Sequence, residues 1–112
     1  MKGLLRSFAC AFRGLGFGLV SGRNIIIHQL AVVVVAAVGL WLGFAAWQWA
    51  VCFLCFGLVI GLELVNTAIE KLCDLVEPNQ NPAVKKIKDL AAAAVLWAAI
   101  TAAAAAIAMI TL

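Results

Sequence analysis

The sequence predicts an all-α integral membrane protein, with an N-terminal amphipathic surface helix followed by three transmembrane helices. Of the 112 residues, 67% are hydrophobic and only 12% are charged, whereas a soluble domain is about half apolar and about a quarter charged. All Asp, Glu, Lys and Arg residues lie in two windows, 2–23 and 63–89. A bilayer core of about 30 Å needs about 20 apolar residues to cross it. The uncharged stretch 24–62 is long enough for most of two spans and 90–112 for one, within a single domain covering 1–112.

The segment 2–20 is predicted to be the surface helix. Its leucines and phenylalanines recur at helical spacing, while Lys2, Arg6 and Arg13 lie largely off that apolar face. A basic amphipathic helix of this kind is suited to lying in the membrane interface. Three glycines weaken its far end and favour close packing there.

The three spans are predicted at about 25–44, 49–70 and 90–112, and the second is expected to continue as helix to about Val76. Within a bilayer each span must satisfy its own backbone hydrogen bonds, so helix is favoured over strand even where β-branched residues cluster. Tryptophans flank a short uncharged turn between the first two spans, as in an interfacial aromatic belt. The loop EPNQNP, with two prolines, separates the second span from the third.

Charge placement predicts the topology. If the N-terminus and the 71–88 loop are cytoplasmic, all eight Lys and Arg residues lie on the cytoplasmic side, which satisfies the positive-inside rule. The net charge of +3 therefore predicts no nucleic-acid binding, because the basic residues flank apolar spans. The four cysteines are not expected to form a disulfide framework, and the mid-span CxxC of Cys52 and Cys55 is interpreted as two small apolar core residues.

A polar stripe of four side chains ends the second span: Glu63, Asn66, Glu70 and Asp74. Their spacing of three, four and four residues keeps them on one side of a helix. An acidic side chain inside a membrane-length apolar segment is costly, so it indicates function. The alternative is a stripe that only binds helices together, but amides and hydroxyls would do this at lower cost than carboxylates.

Carboxylates at a membrane interface beside a basic loop suit phosphoryl transfer. Mg²⁺ prefers carboxylate oxygens and substrate phosphates as ligands, so Glu70 could hold the metal, with Asp74 near. Lys88 could contact a phosphate. Glu63 lies about two turns deeper, where a lipid hydroxyl would sit and a general base is needed. The lone His28 near the start of the first span is interpreted as a structural hydrogen-bonding residue.

A small proton-coupled transporter is a competing hypothesis, since such exporters have a similar length and an intramembrane Glu. In this chain the acids lie at the end of the second of three spans, next to a basic loop, which suits phosphate better. Transport of that kind would need Glu63 but not ATP.

The stretch 63–70, ELVNTAIE, followed by Asp74, resembles the ELxNTAIExxxD signature of the bacterial diacylglycerol kinase family, which includes the undecaprenol kinases. The KD pair at 88–89 and the FRGL element at 12–15 are similar to further motifs of that family. Residues 23–28, RNIIIH, resemble the RNxxIH segment of the undecaprenol-kinase branch. The resemblance covers nearly the whole chain, with the motifs in the same order.

The resemblance implies a homotrimeric, multi-pass kinase of the bacterial inner (cytoplasmic) membrane, with active sites shared between subunits. It implies transfer of the γ-phosphate of ATP, with Mg²⁺, to a lipid alcohol, giving phosphatidic acid from diacylglycerol or undecaprenyl phosphate from undecaprenol. Glu63 matches the proton acceptor at the lipid site, and Asn66 the active-site amide beside the substrate. Glu70 matches a metal and ATP ligand, and Lys88 and Asp89 match ATP-binding positions.

The chain departs from the family pattern at three places. Gly22 stands where the family usually has a second metal- and ATP-binding Glu. Cys10 stands where it has a Tyr in the surface helix, and 80–82 reads QNP where a YHP element is common. The alternative is therefore a catalytically degenerate family member with a lipid-binding or structural role.

Overall fold

The computed structural model describes residues 2–21 and 23–112, and within that part of the chain every regular element is an α-helix. The four helices are α1 (Lys2–Ser21), α2 (Arg23–Leu42), α3 (Ala46–Val76) and α4 (Pro82–Thr111). Three helical segments are long and apolar enough to cross a membrane: Ile25–Leu42, Ala46–Val76 and Pro82–Thr111. The predicted fold class, an N-terminal helix plus three spans, is confirmed. The departure at Gly22 lies outside the described residues.

The turn between α2 and α3 is set by one glycine and one glutamine. Gly43 has a φ of 71°, a left-handed conformation that costs a glycine little, so α2 ends at Leu42, two residues before the predicted end of the first span. The Gln48 side chain then accepts a hydrogen bond from the Ala45 N–H at 2.7 Å, which satisfies a donor at the start of α3.

Helix α4 begins at Pro82, eight residues before the apolar stretch that defines the third span. The Asn81 side chain caps it by accepting hydrogen bonds from the N–H groups of Ala83 at 2.8 Å and Val84 at 3.4 Å. Proline at the first helical position needs no N–H partner. The 30 residues of α4 extend about 45 Å at ~1.5 Å per residue, so its lysine-bearing first turns extend beyond the hydrocarbon core.

The helices pack around α3. Helix α4 makes the most extensive contact with α3, α2 lies against another side, and α1 crosses near both α2 and α3. The small set of buried apolar side chains comprises Ile25 on α2, Cys52, Val59 and Cys73 on α3, and Val95, Ala98 and Met109 on α4. The alanines of α4 allow this close approach.

Most large apolar side chains lie outside this core. Trp97 is 74% exposed, Leu54 75% and Trp41 84%. A soluble monomer rarely shows such contiguous apolar surface. The exposed side chains therefore match the environment of a multi-pass membrane protein, in which lipid or neighbouring helices cover them.

Candidate functional site

The deepest acidic side chain is Glu63, which lies on α3 and is only 3% exposed. Its Oε2 lies 3.7 Å from Nε2 of His28 on α2, which is too long for a hydrogen bond. Among the described residues, this Oε2 is buried without any hydrogen-bond partner. A buried polar atom left in this state costs about 1–3 kcal/mol, so its retention points to a role beyond stability.

Asn66 lies one turn further along α3 and is 5% exposed. Its Nδ2 donates a hydrogen bond to Glu70 Oε1 at 3.0 Å. The Asn66 Oδ1 is a second buried atom with no partner in the described part of the chain. The amide therefore orients the Glu70 carboxylate with one end and leaves an acceptor free at the other.

Glu63, Asn66 and His28 line one cavity of about 210 Å³. The remaining walls are apolar and come from α2 and α4, namely Ile27, Ala92, Val95 and Leu96. Three helices thus line a partly open cavity that contains two oxygens without a partner among the described residues, and apart from His28 its other walls are apolar. Such a cavity suits a small polar group, for example a hydroxyl, attached to an apolar molecule.

An apolar cavity of about 280 Å³ lies between the same three helices and shares His28 with the polar one. It is lined along α2, α3 and α4 by residues that include Val35, Cys55, Phe56 and Met109. His28 therefore stands at the junction between a carboxylate-bearing cavity and a hydrocarbon-lined cavity. An amphiphile could place its polar end in the first cavity and its hydrocarbon in the second.

The other end of the polar stripe is accessible to solvent. Glu70 and Asp74 are exposed, because α2 and α4 cover only the deeper part of the stripe. Lys88 Nζ on α4 donates to Asp74 Oδ1 at 2.6 Å. This pair borders a larger cavity of about 660 Å³ formed with the loop between α3 and α4. Lys88 and two carboxylates, Asp74 and Glu77, thus line one cavity at the exposed end of the stripe.

Asp89 follows Lys88 on α4, and its side chain pairs with a lysine of the same helix. Its Oδ2 accepts a hydrogen bond from Lys85 Nζ at 2.8 Å, one turn earlier on the same helix, and both side chains are exposed. Asp89 borders neither the Glu63 cavity nor the loop cavity. Its ATP-binding role stays a prediction.

The donor set for Mg²⁺ is small. Within residues 2–21 and 23–112, no three His, Cys, Asp or Glu side chains are grouped so that they could hold a metal ion. Glu70 is exposed and uses Oε1 to accept from Asn66. Mg²⁺ commonly takes one or two carboxylates and fills the rest of its shell with water and substrate phosphates. A single carboxylate at Glu70 therefore fits a metal that arrives with a nucleotide.

The sequence favours a structural role for His28 and does not predict its proximity to Glu63. The two residues are 35 positions apart, and only the packing of α2 against α3 brings them together. The RNxxIH resemblance placed a histidine in a motif and was the one signal that could have drawn attention to it.

Comparisons with known proteins identify the family to which the chain is similar. The profile of the prokaryotic diacylglycerol kinase family matches residues 9–110. The chain is 37% identical over 90 residues to an undecaprenol kinase of Bacillus subtilis, a match that covers 80% of this chain and 73% of that protein. It is 41% identical over 100 residues to a diacylglycerol kinase of Synechocystis sp., covering 88% of this chain but only 57% of that longer protein.

Proposed function

Because the chain belongs to the prokaryotic diacylglycerol kinase family, we propose that it is a lipid kinase, which transfers the γ-phosphate of ATP to the hydroxyl of a membrane lipid alcohol. One observation supports this most strongly. Glu63 is buried, has a carboxylate oxygen without a hydrogen-bond partner in the part of the chain that the structure describes, and borders a cavity with largely apolar walls. A general base is needed there, at membrane depth, to accept the proton of a lipid hydroxyl.

The proposed reaction is a single displacement at phosphorus. The lipid hydroxyl oxygen forms a bond to the γ-phosphorus, and the bond from that phosphorus to the β,γ-bridging oxygen breaks. The hydroxyl proton passes to Glu63 Oε2, and ADP leaves. General-base assistance of this kind contributes about 10²–10⁴ in rate.

In this proposal Glu70 and Asn66 act where the nucleotide binds. Glu70 would hold Mg²⁺ together with the ATP phosphates, and the bound metal would neutralise charge developing on them. Asn66 fixes the Glu70 carboxylate through the 3.0 Å hydrogen bond from Nδ2. Lys88 is held near the stripe by its hydrogen bond to Asp74. When ATP binds, Lys88 could release the Asp74 carboxylate and bind a phosphate oxygen in its place. Asp89 would bind ATP from the first turns of α4.

The identity of the lipid substrate is proposed from the names of the relatives. Their names specify undecaprenol in one case and diacylglycerol in the other. The RNIIIH stretch favours undecaprenol, and either lipid has a primary hydroxyl attached to a long apolar body. Both would place that hydroxyl by Glu63 and the hydrocarbon among the apolar helices.

The assembly and orientation are likewise proposals. A homotrimer in the bacterial inner membrane would cover part of the exposed apolar surface and complete each active site with residues of a neighbouring subunit. The N-terminus and the 71–88 loop would face the cytoplasm, where ATP is available. In a background whose four native cysteines are replaced by serine or alanine, a Gln80→Cys variant should then react with an impermeant thiol reagent in inside-out vesicles and not in right-side-out ones.

The test of the kinase proposal is transfer of label from γ-labelled ATP in mixed micelles containing Mg²⁺, with diacylglycerol and undecaprenol offered separately. Label in one lipid establishes the activity and identifies the acceptor. Label in neither lipid, from a well-folded oligomer, would reject it. Proton-driven transport that needs Glu63 but no ATP would instead support the transporter hypothesis.

The second candidate, a degenerate family member, is favoured by Gly22, which offers no side chain where the family has a metal-binding Glu. Loss of one metal carboxylate can cost several kcal/mol of transition-state stabilisation, which is roughly 10²-fold or more in rate. If the site works but lacks this ligand, Gly22→Glu should raise the rate of lipid phosphorylation and lower the Mg²⁺ concentration needed. An unchanged rate would show that position 22 does not limit metal binding.

A further inference from the structure

The relation between His28 and Glu63 is unusual for two buried polar groups. Their facing atoms are 3.7 Å apart, with the His28 side chain 18% and the Glu63 side chain 5% exposed. This is too far for a hydrogen bond, yet Glu63 Oε2 has no other partner among the described residues. The two groups therefore leave room for a third atom that would bind to both.

A hydroxyl oxygen fits between them. Since Nε2 and Oε2 are 3.7 Å apart, an oxygen set to one side of the line joining them can lie about 2.8 Å from each, an ordinary hydrogen-bond length. Such a hydroxyl would donate its proton to Oε2 and accept from an Nε2–H group. One lone pair would remain free on the hydroxyl oxygen to attack phosphorus.

On this geometry, and resting on the proposed kinase function, we propose that His28 is a catalytic residue that binds the acceptor hydroxyl of the lipid and holds it against Glu63. His28 Nε2–H donates to the hydroxyl oxygen, and the hydroxyl donates to Glu63 Oε2. The proton then moves to Glu63 as the oxygen–phosphorus bond forms.

The surroundings of His28 favour a lipid as the donor of that hydroxyl. His28 borders both the cavity of Glu63 and Asn66 and the apolar cavity between α2, α3 and α4. A molecule whose hydroxyl lies between His28 and Glu63 has hydrocarbon walls beside it. Water would satisfy the same two atoms but would gain nothing from the apolar cavity.

Three substitutions at one position separate this role from a structural one. The glutamine side chain can place its amide N–H where His28 has Nε2–H, whereas asparagine reaches only as far as Nδ1, and alanine has no donor. We expect kcat/KM for the lipid alcohol to fall about tenfold in His28→Ala and His28→Asn, the effect of one lost hydrogen bond. His28→Gln should stay within about threefold of wild type, and the KM for ATP should not change in any of them.

Gln29→Ala provides the matched control. Gln29 Nε2 donates to the Leu19 carbonyl at 3.2 Å, so this neighbour of His28 ties α2 to α1 without bordering the Glu63 cavity. Gln29→Ala should therefore leave kcat/KM for the lipid alcohol unchanged. Equal losses in the Gln, Asn and Ala variants of His28, or a change in the KM for ATP, would overturn the assignment.

A double variant tests whether His28 and Glu63 act on the same atom. In a Glu63→Gln background, adding His28→Ala should reduce the residual rate less than about threefold, because the shared hydroxyl is already misplaced. A full tenfold further loss would show independent action and reject the assignment. A wild-type protein that phosphorylates no lipid would overturn the kinase proposal and this inference together, whereas an active enzyme with unaltered His28 variants overturns this inference alone.

Discussion

Replacing Asn66 with leucine should make the protein more stable and less active. The substitution removes the buried Oδ1 that has no partner in the described chain, which recovers about 1–3 kcal/mol. It also removes the bond from Nδ2 to Glu70, at a cost of about 0.5–1.5 kcal/mol, but Glu70 is exposed and water can replace that donor. The larger leucine side chain can extend into the adjoining cavity of about 210 Å³. A net stabilisation of about 1 kcal/mol follows.

The same variant should lose about 10–100-fold in activity, because the residue that orients a metal-binding carboxylate is gone. The free energy of unfolding can be measured by titrating folded protein in mixed micelles with a denaturing detergent. Thr101→Val is the control, because its hydroxyl is already satisfied by the Trp97 carbonyl at 2.9 Å and its loss should change stability by less than about 1 kcal/mol. If Asn66→Leu were less stable than wild type by more than 1 kcal/mol, the reasoning from an unpaired buried atom would be refuted.

Two further substitutions, each with a control, test the packing of the helices and the proposed binding of ATP. A methyl group added at Gly39 would lie 2.7 Å from each of two aromatic rings, so Gly39→Ala should lower the free energy of unfolding by about 1–3 kcal/mol. At Gly57 an added methyl group would meet no other atom, so Gly57→Ala should raise the free energy of unfolding by about 0.5–1 kcal/mol. Equal free energies of unfolding for the two alanine variants would contradict this prediction. Lys88→Met should raise the KM for ATP about tenfold with under 1 kcal/mol lost in stability, because the pair with Asp74 is partly exposed, 36% at the Lys88 side chain and 64% at Asp74. Lys86→Met should leave that KM within about twofold, and similar KM values for both variants would reject a phosphate contact at Lys88.

The membrane architecture could be predicted because the charges are segregated along the chain. Two uncharged stretches and the loop EPNQNP were enough to predict three spans, and the helices follow them. The ends of the helices were harder to predict. The left-handed turn at Gly43 and the cap formed by Asn81 are local events that move a helix end by several residues without changing its hydrophobic pattern.

The site was predictable along one helix but not between helices. Helical spacing placed Glu63, Asn66, Glu70 and Asp74 in one stripe, and the hydrogen bond from Asn66 to Glu70 follows from that spacing. The sequence also placed Glu63 about two turns deeper than Glu70, and in the structure Glu63 and Asn66 are buried while Glu70 and Asp74 are exposed. That division depends on where α2 and α4 cover α3.

Contacts between distant segments account for the remaining differences. The approach of His28 to Glu63 depends on how α2 packs on α3. Asp89 was grouped with Lys88 by sequence, yet consecutive residues on a helix point about 100° apart. As a result Lys88 turns towards Asp74 on α3, while Asp89 pairs with Lys85 along its own helix.

The central claim is that Glu63 accepts the lipid proton while Glu70 binds the metal, about 10 Å away along α3 at ~1.5 Å per residue. The most direct measurement compares Glu63→Gln with Glu70→Gln in lipid phosphorylation, with ATP and Mg²⁺ varied separately. We expect Glu63→Gln to lower kcat by about 10²–10⁴ with the KM for ATP and the Mg²⁺ requirement unchanged. Glu70→Gln should raise both the KM for ATP and the Mg²⁺ concentration required. A Glu63→Gln protein that keeps more than a tenth of wild-type kcat would contradict the account.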